Sequence, residues 1–504
     1  MPASPPVPPR PTGLPPVALA ELAAGAGAAA PADGVLVSGV THDSRDVRPG
    51  DLYAALPGAV HHGAEFGEQA LRAGAVAALT DPAGAALLPP GLPALVVDAP
   101  RTVLGPLAAS VYGHPAERLL ALGVTGTSGK TTTTYLLDGA LRAAGATTGL
   151  VGTVETRIAG EVLPSSLTTP EAPQLQALLA VMVQRGCTAL AMEVSSHALA
   201  LGRVDGTVYD VAGFTNLGRD HLDFHRDMAD YLAAKARLFT PALSERAVVC
   251  TDTDGGRQVA AGAGVPVTTV ATAGPGDWTL EGLVTTATGS TSTVVARDGR
   301  RVPLALGLPG AYNAANALVA LAVLDAAGLE LAAAARALAA VQVPGRMERV
   351  DDGGSGIVGI VDYAHKPEAV EAAVRAAREG SSGRVLVVLG AGGDRDRAKR
   401  PLMGGAAARL ADVVVVTDDN PRSEDPAEIR AAVLAGTADG QAEVLEVGDR
   451  AAAIAEAVSR ARPGDVVAVL GKGHERGQLA GGVLTPFDDR EALRGALAAA
   501  GARA

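Results

Sequence analysis

Residues 118–145 read RLLALGVTGTSGKTTTTYLLDGALRAAG. The apolar run to Val124 reads as a strand, Gly126 to Gly129 as a turn, and the residues from Lys130 as an amphipathic helix. Glycines at such a junction let backbone amides turn inward around phosphate oxygens, with the positive end of the helix behind them. On this reading Gly126, Thr127, Ser128, Gly129, Lys130, Thr131 and Thr132 cradle ATP. Lys130 reaches the β- and γ-phosphates, and the Thr131 hydroxyl ligates Mg²⁺. The spacing is a shortened form of GxxxxGK[ST], because Gly123 lies one residue too far upstream. A plain glycine turn with a surface lysine would leave the agreement of strand, turn, Lys-Thr pair and helix unexplained.

The same alternation extends outward. TALAMEVSSH (188–197) and VAGFTNLGRDHLD (211–223) are further strand-loop units of this block, and RVLVVLGAGGDRD (384–396), ADVVVVTDDNPR (411–422) and GDVVAVLGKGHE (464–475) repeat the theme later. Strands alternating with helices predict an α/β fold with parallel-rich sheets, whose ligands bind outside the carboxyl ends of the strands. The 504 residues allow about three domains at roughly 150 residues each. The expected boundaries are a disordered proline-rich tail over 1–18, a first domain over 19–115, a central domain carrying the phosphate loop over 116–344, and a third, α/β domain over 345–504.

Composition narrows the function. A net charge of −12 argues against non-specific nucleic-acid or anionic-membrane binding, although a local loop can still oppose it. Aromatic residues make up only 3%, so Ala, Val and Leu must build the core. Cys187 and Cys250 form neither a disulfide framework nor a metal-ligand spacing, which fits a reducing cytoplasm. No apolar run reaches the roughly 20 residues a membrane span needs.

Polar residues fall just past the strands. Glu193 and His221 both reach the phosphate region if their strands neighbour the first, and together they suit a partial shell for a divalent metal; alone, each reads more readily as a capping acid or a surface histidine. Lys235, in YLAAKARLF, reads by itself as a solvated helix lysine. In VVVVTDDNPRSEDP (413–426) a single arginine, Arg422, sits among carboxylates, either screening them or aimed at a ligand.

Taken in order, GVTGTSGKTTTTYLL, MEVSSHAL, FTNLGRDHLDFH, YLAAKARLF, VDYAHKPEA, GAGGDRD, TDDNPR and GKGHE resemble the Mur ligases of peptidoglycan synthesis over nearly the whole chain after about residue 35. The resemblance implies an N-terminal domain for a UDP group, a central P-loop ATPase and a C-terminal Rossmann-like domain for an incoming amino acid. The DNPR and GKGHE loops imply the activity that adds meso-2,6-diaminopimelate to the D-glutamate γ-carboxylate of UDP-N-acetylmuramoyl-L-alanyl-D-glutamate. The implied catalytic set is Lys130, Glu193, His221 and Lys235. The lysine is expected to react with CO₂ to a carbamate, so that Thr131, Glu193, His221 and Lys235 surround Mg²⁺.

By the same match, Asn313, with Asn316 a weaker candidate, lies near the adenine, and Arg346 and Asp362 approach ATP from the C-terminal domain. His42 and Ser44 lie at the uridine end, while Thr168, Thr169, Ser195 and Arg203 hold the muramoyl-dipeptide and pyrophosphate. Ser44, Asp43 and Asn313 also read as helix or turn caps. Arg395, Asp419, Asn420, Pro421, Arg422, Gly471 and Glu475 form the diaminopimelate site. There Arg422, with Arg395, takes a carboxylate in a two-pronged bond, and Asp419 and Glu475 take an ammonium.

Three positions depart from the family pattern. Ser128 stands where many members have asparagine, Gly218 where many have serine, and Leu201 where some place a glutamine on the nucleotide substrate. The implied chemistry runs through an acyl phosphate attacked by the amine. A cytoplasmic monomer with no nucleic-acid partner and no membrane insertion is expected. The competing readings are a lysine-adding relative, in which the matching place carries no arginine, a folylpolyglutamate synthetase-like ligase, and a nucleotide-switch protein.

Overall fold

The computed structural model describes residues 9–29, 31–163, 167–351, 353–379 and 381–502. The chain forms two compact units, Met1–Thr279 with Asn316–Ala334, and Leu280–Ala315 with Ala335–Ala504.

The first unit is built around two larger sheets, with a two-stranded ribbon beside them among the described residues. Strands β1 (Gly39–Thr41), β2 (Asp51–Ala54), β3 (Ala77–Thr80) and β4 (Ala94–Val96) lie parallel in that order. Their buried leucines pack against Leu104 and Leu107 of helix Pro100–Val111. The stretch expected to be a disordered tail is anchored from Arg10 onward. Arg10 donates to Asp51 at 2.6 Å, Thr12 bonds Gln184, and Val17–Ala18 pairs antiparallel with Leu36–Val37. The proline content hid this, because the partners come from distant segments. The expectation for residues 1–8 lies outside the described residues.

The second sheet carries the phosphate loop. β5 (Leu120–Thr125) leads into α1 (Lys130–Ala143), followed by β6 (Thr148–Val151), β7 (Ala189–Glu193), β8 (Val211–Phe214), α2 (Met228–Ala236), β9 (Ala247–Cys250) and β10 (Val267–Ala271). Their spatial order is β6-β7-β5-β8-β9-β10, all parallel. Covered on both faces, these strands read as continuous apolar runs. β5 lies between β7 and β8, with Glu193 paired to Val124 and Phe214 to Thr125. Both loops expected beside the phosphate turn are therefore its immediate neighbours.

In the second unit β11 (Val358–Asp362), β12 (Val385–Ala391), β13 (Val413–Asp418), β14 (Glu443–Glu446) and β15 (Val466–Leu470) are parallel, in the order β11-β15-β12-β13-β14. From β12 the chain steps outward to β13 and β14, then returns to lay β15 on the other side of β12. This reversal is a topological switch point, the place where such sheets bind ligands. The loops after β12, β13 and β15 carry GGDRD, DNPR and GKGHE. No described helix is long and apolar enough to cross a membrane.

Candidate active site

Between β5 and α1 the chain turns through Gly129, whose φ is +89° and which starts the helix without a side-chain cap. Glycine at the cap position offers no side chain of its own to the helix terminus, as suits an anion-binding turn. A Cβ on Gly129 would stand 2.2 Å from Asn316 Oδ1. The loop is held against the end of β8. Thr127 N donates to Asn216 O, Ser128 N to Asn216 Oδ1 at 3.0 Å, and Asn216 Nδ2 returns a bond to Ser128 O. The Thr127 hydroxyl meets Gly218 and the Tyr231 hydroxyl. Lys130 curls over the turn, donating to Gly126 O at 2.8 Å and Thr127 O at 3.1 Å. Thr131 and Thr132 are buried in the first turn of α1.

Lys235 is no solvated helix lysine: it is 1% exposed. α2 aims it at the same loop, where Nζ donates to Gly126 O at 2.8 Å and lies 4.5 Å from the Tyr231 ring centroid. Glu193, buried at the end of β7, accepts from Thr153 N and Thr153 Oγ1. His221 has φ +53°, pairs with Asp220 and packs edge-on to His197. Among the described residues no group of three or more His, Cys, Asp or Glu side chains is arranged to hold a metal.

Further along the unit, Thr168 Oγ1 touches Thr153 Oγ1, the residue that holds Glu193. Thr169 Oγ1 donates to Glu193 O and accepts from Ser195 N. Ser195 Oγ caps the short helix Ser196–Ala200. Arg203 donates to Thr169 O and pairs with Glu171 at 2.8 Å; Arg101 takes the other oxygen of that carboxylate. Burial lowers the pKa of His42, against the pull of Glu171. His42 Nδ1 is buried without a hydrogen-bond partner among the described residues, so a polar ligand atom would find a donor or acceptor there. Ser44 does not cap a helix; its hydroxyl bonds Gln69 at 3.3 Å, while Asp43 closes the turn onto Arg45 N.

In the second unit Asn313 is not an N-cap: it lies inside helix Ala311–Ala326 and donates back to Pro309 O. Asp362 accepts from Met347 N, and burial raises its carboxyl pKa against the opposing Arg346 charge. Arg346 stacks on Tyr363 at 4.6 Å. His365 and His474 flank the same ring; burial holds each imidazole pKa down at about 4, so both are neutral near pH 7.

The three loops at the switch point interlock. Arg422 has φ +54°, and its backbone pairs with hairpin strand Gly477–Ala480 through Leu479 O and Gly481 N. Its Nη1 donates to Gly393 O at 2.6 Å, and no bond to a described residue engages Nε or Nη2. Pro421 is buried behind it. Asp419 is 7% exposed, yet its carboxylate makes no hydrogen bond among the described residues. Gly471, at φ +117°, leaves room for it, since a Cβ there would stand 2.6 Å from Asp419 Oδ2. Asn420 bonds Glu475 at 2.7 Å. Arg395 is exposed and unpaired among the described residues.

Sequence reasoning did not single out Asn216, Tyr231, Thr153 or Lys472; Asn316, its weaker adenine candidate, is the residue that abuts Gly129. Asn216 was signalled by its place two residues beyond the apolar strand that ends at Phe214.

Residues 36–112 match the Mur ligase family catalytic domain, 124–324 the Mur ligase middle domain, and 345–473 the Mur ligase glutamate ligase domain. The chain is 55% identical over 502 residues to UDP-N-acetylmuramoyl-L-alanyl-D-glutamate–2,6-diaminopimelate ligase of Streptomyces avermitilis, covering 98% of each. It is 43% identical to a UDP-N-acetylmuramyl-tripeptide synthetase of Leifsonia xyli, covering 93% of each. A solved structure of a UDP-N-acetylmuramoyl-L-alanyl-D-glutamate–2,6-diaminopimelate ligase superposes with a TM-score of 0.70 at 30% identity, covering 96% of this chain and 99% of that one. The chain belongs to the Mur ligase family.

Proposed function

We infer that this chain is an ATP-dependent, ADP-forming ligase that joins meso-2,6-diaminopimelate to the D-glutamate γ-carboxylate of UDP-N-acetylmuramoyl-L-alanyl-D-glutamate, in cytoplasmic peptidoglycan precursor synthesis. One observation carries the choice of amino acid: in the loop after β13, the Nε–Nη2 edge of Arg422, whose Nη1 is held by Gly393 O, and the carboxylate of the nearly buried Asp419 make no hydrogen bond among the described residues. A carboxylate meets the open Nε–Nη2 edge of Arg422, and an ammonium meets Asp419 and Glu475. Lysine lacks the far carboxylate and leaves that edge unpaired, a mismatch that costs specificity strongly.

The first half-reaction moves a phosphoryl group between two anions, so charge neutralisation and positioning dominate. Lys130 and the amides of α1 bind the phosphates, and Arg203, Thr168, Thr169, Ser195, His42 and Ser44 hold the UDP-dipeptide. Asn313, Arg346 and Asp362 serve the nucleotide. The oxygen-rich set of Thr131, Glu193 and a Lys235 carbamate, with His221, suits Mg²⁺, which supplies charge neutralisation when bound. A carbamate fits Lys235 because its nitrogen keeps one N–H for Gly126 O. The divisions 19–115, 116–344 and 345–504 are the functional ones. Product formation from the UDP-dipeptide and ATP, with diaminopimelate compared against lysine, tests the reading. Equal use of both amino acids overturns the assignment of Arg422.

A further inference from the structure

Lys472 was not among the residues expected at the crevice, yet its side chain is 0% exposed and lies at its floor. A buried ammonium is costly unless each proton is used. Its Nζ donates to Asn420 Oδ1 at 3.0 Å and to Glu475 Oε2 at 3.2 Å. Asn420 Oδ1 also accepts from Leu479 N at 2.9 Å. Two donors converge on this one atom of Asn420, so it must be the oxygen, and the amide can sit only one way round. Its Nδ2 then points at Glu475 Oε2, 2.7 Å away. Oε2 is thereby filled by two donors, while Glu475 Oε1 bonds nothing among the described residues.

We propose that Lys472 is a positioning residue for the amino-acid substrate: it fixes the Asn420 amide and one oxygen of Glu475, so the crevice presents one acceptor, Glu475 Oε1, beside one donor, the second N–H of Asn420 Nδ2. That ordered pair matches an ammonium and a carboxylate on one carbon, the head group of an α-amino acid. Arg450 braces the frame beneath. Fully buried and paired with Asp489 at 2.7 Å, it donates to Asp418 O and Leu470 O, the last carbonyls of β13 and β15. The proposal rests on the amino-acid site proposed above and adds the residue that sets its polarity.

The test is steady-state kinetics of the full-length enzyme with ATP, UDP-dipeptide and diaminopimelate. Failure of the wild type to ligate diaminopimelate overturns the underlying reading, before any variant is made. With an active wild type, Lys472→Met raises the KM for diaminopimelate about 10- to 100-fold, the loss of a charge-assisted bond, and leaves the KM for ATP unchanged. In an Asn420→Ala/Glu475→Gln background the same substitution changes that KM by less than about threefold, because the groups it acts through are gone. A full effect in that background shows a merely structural lysine and overturns the proposal. Asn420→Asp keeps an acceptor for Lys472 and turns the outward donor into an acceptor. It raises the diaminopimelate KM even if Lys472→Met does not fold. An unchanged KM in Asn420→Asp overturns the proposal.

Discussion

The Lys235 ammonium lies 2.8 Å from the Gly126 carbonyl, inside the phosphate turn and away from solvent. Nothing in a cation at that point helps to bind a metal, whereas a carbamate there would offer two oxygens beside the phosphate turn. Lys235→Ala is expected to lower kcat by about 10²- to 10³-fold. Formate or acetate at high concentration should restore part of the rate by standing in for the lost carboxylate-like group. Phosphate release with and without the additive measures this, and full activity of Lys235→Ala in plain buffer would refute the carbamate.

Gly129→Ala tests the phosphate turn. The new Cβ meets Asn316 Oδ1, and an L-residue is strained at φ +89°. The cost is of order 1–3 kcal/mol, from strain and displacement of Asn316. Weaker ATP binding by calorimetry should accompany a lower Tm. Wild-type ATP affinity would mean that the turn's conformation does not matter to the nucleotide.

Arg422→Ala should raise the KM for diaminopimelate by at least about 100-fold and leave the KM for ATP within about twofold. Arg422→Lys should recover little, because a point charge cannot replace the planar fork. A uniform loss across all three substrates would argue that the arginine only holds its loop together.

Glu424 supplies a pH-dependent link between two of the crevice loops. Its carboxylate bonds both Arg400, at 2.8 Å, and Asp394 N, at 2.6 Å. The Arg400 guanidinium holds its carboxyl down at about 2. A depressed carboxyl pKa contributes stability that is complete above the unfolded value of about 4.3 and is lost as pH falls towards 2. Tm measured from pH 6 to 2.5 should therefore fall less steeply in Glu424→Gln than in the wild type, from a lower starting value. Parallel curves would remove Glu424 from the acid response.

The fold was largely legible because its parallel strands are covered on both faces and so appear as apolar runs ending in glycine or polar loops. Val385–Ala391 and Val413–Asp418 are of this kind. Partners supplied by distant segments were not legible. Arg10 finds Asp51 across 41 residues, Lys472 finds Asn420 across 52, and Lys235 finds Gly126 across 109. Spacing within one motif carries no information about such contacts. The resemblance raised Lys235 where its own helix pattern had marked it as a solvated residue. It passed over Lys472, which sits inside one of the quoted motifs.

Arg422 is pinned to its neighbouring hairpin by main-chain atoms alone, through its own amide and carbonyl. The hold on the hairpin therefore does not depend on the guanidinium, whose one bond runs to Gly393 O of the neighbouring loop. An exchange of side chain at this position can leave the scaffold intact while changing what the crevice selects, provided the replacement tolerates a left-handed backbone. Substrate choice is in this sense a detachable part of the architecture, open to revision by single substitutions without refolding the domain that bears it.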